Sequence, residues 1–92
     1  MATVIIPTPL RKFTNSVSRL SIQAGSVQEL IHKLSIEYPD LKRHLLDANG
    51  KIPSFINIFV DDDDIRNLQH GDTPVKDSNT VSIIPAIAGG AF

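Results

Sequence analysis

"GSVQELIHKLSIEYPD" (Gly25–Asp40) decides the fold, because it is the clearest helix in the chain. Ser26 and Glu29 stand in S-x-x-E spacing, in which the hydroxyl accepts from the Glu29 amide and the carboxylate reaches back to the Ser26 amide. Val27, Leu30, Ile31 and Leu34 form an i, i+3, i+4, i+7 stripe that Tyr38 continues. Pro39 ends it. One helix with one apolar face needs a single flat surface to cover, and the flanking sequence supplies it.

Upstream, "TVIIP" (Thr3–Pro7) is a β-branched run closed by proline, so a strand, with Val4 and Ile6 on one face and Thr3 and Ile5 on the other. "TPLRKFTN" is a turn-rich link whose Leu10 and Phe13 are placed to cap the core. "SVSRLSIQA" (Ser16–Ala24) reads as a second strand, with Leu20 and Ile22 opposite Arg19 and Ser21. Val17 falls off that alternation, which predicts a bulge or a late start. The short link predicts antiparallel pairing of these two strands.

Downstream of the helix, "DLKRHLL" predicts a short second turn with Leu41, Leu45 and Leu46 tucked inward, and "DANGK" is a turn by composition. "SFINIFVD" is the next strand, with Ile56, Ile58 and Val60 on one face and Phe55, Asn57 and Phe59 on the other. A short strand is expected near Ile65–Leu68. "TVSIIP" (Thr80–Pro85) is the last, with Val81 and Ile83 opposite Ser82 and Ile84. The first and last strands are the most β-branched, which suits the centre of a sheet. Five short strands cannot make two layers and still keep a helix. The expected class is therefore α+β: a mixed sheet of four to five strands with one main helix packed on one face, the β-grasp arrangement of ubiquitin. Residues 1–85 form that domain, and 86–92 form a flexible C-terminal tail.

Composition narrows the function. Ninety-two residues make one small domain, and 41% hydrophobic with 21% charged residues suits a globular protein. Nine basic and ten acidic residues give a net charge of −1, with no basic stripe for nucleic acid. The N-terminus lacks the regions of a signal peptide and no apolar run reaches membrane-spanning length, so a cytoplasmic protein with no membrane partner is expected. Without cysteine there is no disulfide, thiolate metal site or thiol nucleophile. His32, His44 and His70 form no metal-ligand pair and sit in no catalytic motif, so neither a metal site nor catalytic residues are assigned. Asp61–Asp64 lacks the spacing of a calcium loop and reads as a solvated hairpin after the third strand.

Gly89-Gly90 is different. A turn glycine needs chain on both sides, and here only Ala91 and Phe92 follow. "AIAGG" carries no charge and could extend about 17 Å beyond Pro85 at roughly 3.3–3.6 Å per residue. Glycine's missing Cβ suits such a tail to a narrow channel in another protein.

The strand followed by Pro9, Leu10, Arg11 and Phe13, the S-x-x-E-L helix, "DTPVKDSNTVSIIPAIAGG" and the diglycine together resemble the MoaD/ThiS sulfur-carrier proteins over nearly the whole chain. "VSIIPAIAGG" is most similar to the branch serving cysteine and homocysteine synthesis or siderophore thioacids. The resemblance implies a protein cosubstrate rather than an enzyme. Its Gly90 carboxylate would be adenylated by an E1-like enzyme using ATP, then converted to a thiocarboxylate and spent by a sulfur-accepting biosynthetic enzyme. Ile87, Ala88 and Gly89 would enter the partner sites, and the free protein would be a monomer with no bound cofactor. The family docks through the sheet face opposite the helix, which implies Ile5, Phe59 and Ile84 here. Because family members usually end at the diglycine, Gly90, Ala91 and Phe92 are read as a processing site. A JAMM-type metalloprotease would remove Ala91-Phe92 there to free the Gly90 carboxylate. Two alternatives remain: a ubiquitin-like modifier joined through Gly90 to target proteins, and a passive β-grasp interaction module.

Overall fold

The Ser26 side chain does cap the helix: its Oγ accepts from the Glu29 amide at 3.2 Å, and α1 runs Val27–Glu37. A computed structural model describes residues 1–85 of the chain. The Glu29 carboxylate takes the Gly25 amide, at 2.6 Å, rather than that of Ser26. Both neighbours of Ser26 are held by the loop around Pro74, through Val27 N–H to the Thr73 carbonyl at 3.0 Å and Val75 N–H to the Gly25 carbonyl at 3.1 Å. The helix start is thus fixed both by its own cap and by a distant loop. Val27, Leu30, Ile31 and Leu34 are all fully buried, as their spacing predicts. Pro39 opens a 3₁₀ turn, Pro39–Leu41, that leads into the four-residue α2, Lys42–Leu45. Leu41, Leu45 and Leu46 point inward from there.

The sheet has five strands: β1 Ala2–Ile5, β2 Arg19–Ile22, β3 Ile56–Val60, β4 Asp63–Asp64 and β5 Thr80–Pro85. Their order is β2-β1-β5-β3-β4. β1 and β5 run parallel, with Val4 opposite Val81, and all other pairs are antiparallel. β5 lies in the middle with β1 beside it, which fits the β-branched character of both. Val4, Ile6, Ile56, Ile58, Val81 and Ile83 belong to the same buried core as the apolar stripe of α1. This is the mixed sheet with one covering helix that the hydrophobic periods demand.

Two strand assignments shift. β2 starts at Arg19, because Asn15 (φ 54°) and Ser16 (φ 70°) adopt left-handed conformations that no strand can contain. The buried Thr14 hydroxyl closes that turn on the Val17 carbonyl at 2.9 Å. Of the two readings of Val17, the late start is the one found. The short strand expected at Ile65–Leu68 is instead Asp63–Asp64, and Ile65–Asn67 is a 3₁₀ turn. Asp61 (φ 56°) turns the chain back so that Asp63 pairs with Val60, and Asp64 Oδ1 then caps the turn from the Arg66 amide at 2.9 Å.

Gln28, half-buried on α1, ties the Gly50 loop to the helix and packs close to Gly71. Its Nε2 donates to the Gly50 carbonyl at 2.9 Å, and a Cβ placed on Gly71 would stand 2.7 Å from its Oε1. Gly71→Ala should therefore cost about 1 kcal/mol by displacing that hydrogen bond. In a Gln28→Ala background the cost should shrink, since only the 3.3 Å approach to the Cβ of residue 28 remains. Denaturation of the four proteins of this cycle measures the coupling; equal costs in both backgrounds would dismiss the clasp.

Candidate functional site

Alternation along each strand sends one set of side chains to the helix and the other to the opposite, outer face. The pairing register lines the second set up in rows. Arg19 lies opposite Ile5, Ile5 opposite Ser82, Ser82 opposite Phe59, and Phe59 opposite Asp64. One row of outward positions therefore crosses all five strands, about 19 Å at the usual 4.8 Å per strand. On the side of this row where β5 ends, Ile84 stands opposite Asn57. On the other side stand Ser21, Thr3 and Thr80. The outer face thus grades from hydroxyls at the start of β5 to apolar groups near Pro85.

The predicted docking residues Ile5, Phe59 and Ile84 all fall on this face. Ile5 and Phe59 are half-buried and Ile84 is 50% exposed. Phe55, just before β3, is 51% exposed and adds to the apolar end. Three neighbouring residues were not singled out from the sequence. Ser82 occupies the middle of the row, Arg19 one end, and Arg66 braces the flank near Ile84. The Arg66 guanidinium donates to Asn57 Oδ1 and to the Ser54 carbonyl, and lies 3.8 Å from Asp64 Oδ2. Alternation assigns such residues to a face, but only register says which of them are neighbours. The predicted sites Ile87, Ala88, Gly89, Gly90, Ala91 and Phe92 lie outside the described residues.

Beside Pro85 the surface dips into an apolar hollow of about 230 Å³, lined by Pro9, Leu10, Phe13, His44, Phe55 and Pro85. His44 stacks on Phe13 with ring centroids 4.5 Å apart. Burial, followed by the positive charges of Arg43 and Lys12, lowers its pKa from the ordinary 6.5. His32 is exposed on α1, and His70 sits in a turn with φ 53°. Among the described residues, no group of three His, Asp or Glu side chains is placed to hold a metal ion. In the aspartate run, Asp61 ties the turn after β3 to the start of β5: its Oδ1 accepts from the Thr80 amide at 2.9 Å and Oδ2 from Asn79 Nδ2 at 2.8 Å. No helix among the described residues is long and apolar enough to cross a membrane.

A mixed five-stranded sheet, one helix across its inner face and an apolar end to its outer face define a ubiquitin-like β-grasp protein. The chain belongs to the ThiS family, whose model matches residues 4–90. It is 36% identical to the sulfur carrier protein CysO of Mycobacterium tuberculosis over 90 residues, 96% of this chain and 97% of that one. Among solved structures, it superimposes on a chain of the BexX/CysO complex of Amycolatopsis orientalis with a TM-score of 0.88 and 34% identity, covering 98% of this chain and all of that one. Small archaeal modifier protein 1 of Methanosarcina acetivorans matches with a TM-score of 0.86 and 25% identity, covering 97% of this chain and 95% of that one.

The lowered pKa of His44 has a readable consequence. Between that pKa and 6.5 the unfolded chain holds a proton that the folded chain lacks, so stability rises with pH there. Denaturation should show stability falling as pH drops below 6.5, with the His44 ring titrating below 6.5 by NMR. His44→Gln should flatten that part of the profile; an unchanged slope would locate the pH dependence elsewhere.

Proposed function

We propose that this chain is a sulfur-carrier proprotein, a protein cosubstrate rather than an enzyme, working in the cytoplasm. The observation that carries the reading is the extent of the family match. It runs to residue 90, the second glycine of the pair, and leaves Ala91 and Phe92 beyond it. The CysO relative, itself named a sulfur carrier, aligns over nearly the full length of both chains.

The chemistry accounts for the residue types. A carboxylate is a poor acyl donor until its oxygen is converted into a leaving group. The activating enzyme uses ATP: the Gly90 carboxylate attacks the α-phosphorus, pyrophosphate departs, and an acyl-adenylate forms. Sulfide then attacks the carbonyl carbon and expels AMP, leaving a glycyl thiocarboxylate; a persulfide attacking instead leaves an acyl disulfide, from which a second thiol releases the thiocarboxylate by forming a disulfide with the donor sulfur. An accepting enzyme takes that sulfur for cysteine or homocysteine synthesis or for a thioacid siderophore. Each step happens inside a partner, so the carrier needs a narrow arm and a docking face. Ile87, Ala88 and Gly89 provide the arm, and the face carries Ile5, Phe59 and Ile84. Glycine admits close backbone approach in both partner sites. Ala91-Phe92 blocks the sequence at its first step, because Gly90 then lies in a peptide bond. A JAMM-type metalloprotease cleaving Gly90–Ala91 removes the block. No cofactor is bound by the carrier itself.

The similarity to an archaeal modifier protein supports a second reading, conjugation through Gly90 to target proteins. Both readings share the adenylate and differ in the nucleophile that follows. Co-expression with the cognate adenylating enzyme and metalloprotease, followed by intact-mass measurement, separates them. The carrier loses Ala-Phe and exchanges one oxygen for sulfur, whereas a modifier appears as adducts on other proteins. An unchanged mass beside active partners leaves only a passive interaction module. Deleting Gly90 from the processed form should abolish sulfur transfer without moving the unfolding midpoint. Transfer surviving that deletion would overturn the mechanism.

A further inference from the structure

The charges at the two ends of the outer row are treated differently. At the β4 end, Asp64 Oδ1 accepts from the Arg66 amide at 2.9 Å, and Oδ2 lies 3.8 Å from Arg66 Nη1. Arg66 is in turn held by Asn57 Oδ1 and the Ser54 carbonyl. Both charges at that edge are engaged with each other and with β3. At the β2 end Arg19 is exposed, and among the described residues it has neither an ion-pair partner nor an acceptor for its guanidinium. Its outward neighbours are Ile5, directly across, and the hydroxyl residues Ser21 and Thr3 of the next row. Among the described residues, the row therefore presents apolar groups on either side of Ser82 with an open cation at one end.

Apolar contact alone does not orient a docked partner. Ile5, Phe59 and Ile84 are spread across three strands around Ser82, and burying them is non-directional. A carrier must do more than adhere, because its chain has to leave Pro85 in the direction of the partner's reactive site. An off-centre charge breaks the rotational ambiguity, since only one orientation brings it to an opposite charge. Arginine suits this task, its planar fork matching both oxygens of a carboxylate.

We propose that the adenylating enzyme sets an aspartate or glutamate opposite Arg19 while its apolar patch covers Ile5, Phe59 and Ile84, so that the ion pair fixes the orientation of docking. The proposal rests on the carrier reading and adds to it the charge that the adenylating enzyme must present. Its test uses residues 1–90 of the chain and the cognate adenylating enzyme in stopped-flow association. Arg19→Glu should slow association about tenfold at low ionic strength, with the deficit shrinking as salt is raised. Its unfolding midpoint should match the parent's. Arg19→Lys, treated with a carbodiimide in the complex, should form an amide to a partner carboxylate that peptide mass mapping identifies. Ile84→Asp reports on the face itself and should weaken binding at every salt concentration. Normal association of Arg19→Glu with no crosslink from Arg19→Lys, while Ile84→Asp fails to bind, would overturn the ion pair and leave the docking face standing. Parent-like binding by Ile84→Asp would instead overturn the docking face.

Discussion

β1 and β5 lie side by side and parallel, with Val4 opposite Val81, although nearly the whole chain separates them. Antiparallel neighbours can be joined by a tight turn, but a parallel pair needs a crossover. Here the crossover is everything between Ile5 and Thr80: β2, α1, α2, β3 and β4. α1 spans that gap on one side of the sheet, and its stripe of Val27, Leu30, Ile31 and Leu34 seals the seam. Without that cover the central pair would be two apolar strands wet on both faces. The loop around Pro74, bonded to both neighbours of Ser26, brings the returning chain over the helix start before β5 begins.

Much of this was legible. The S-x-x-E spacing placed the helix start, and the three-and-four spacing named the residues that are now buried. Period-two alternation sorted Ile5, Phe59 and Ile84 from Val4, Ile58 and Ile83 without any knowledge of pairing. What escaped had a backbone cause in each case. Asn15 and Ser16 turn left-handed and delay β2, an effect that side-chain hydropathy does not encode. Two aspartates form β4 because the turn at Asp61 delivers them opposite β3, not because aspartate favours strands.

Register was the larger gap. That Arg19, Ile5, Ser82, Phe59 and Asp64 share a row follows from four separate strand pairings, none of which a single sequence states. Arg19 and Arg66 read alike as surface arginines, yet one is bonded into the edge of the sheet and the other is left open. The diglycine showed the opposite balance. It lies outside the described residues, so local composition and the extent of the family match carry it alone.

Parallel pairing also gives the molecule two poles. Ala2 begins β1 at the end of the sheet where Thr80 begins β5, whereas the chain leaves the described fold at Pro85, about 17 Å further along a six-residue strand. A dye, affinity handle or second domain fused ahead of Ala2 would emerge at the hydroxyl-rich pole, away from Ile84 and the hollow beside Pro85. The chain can thus be tethered by its amino end to a bead or a fluorescent reporter, with its apolar pole left uncovered.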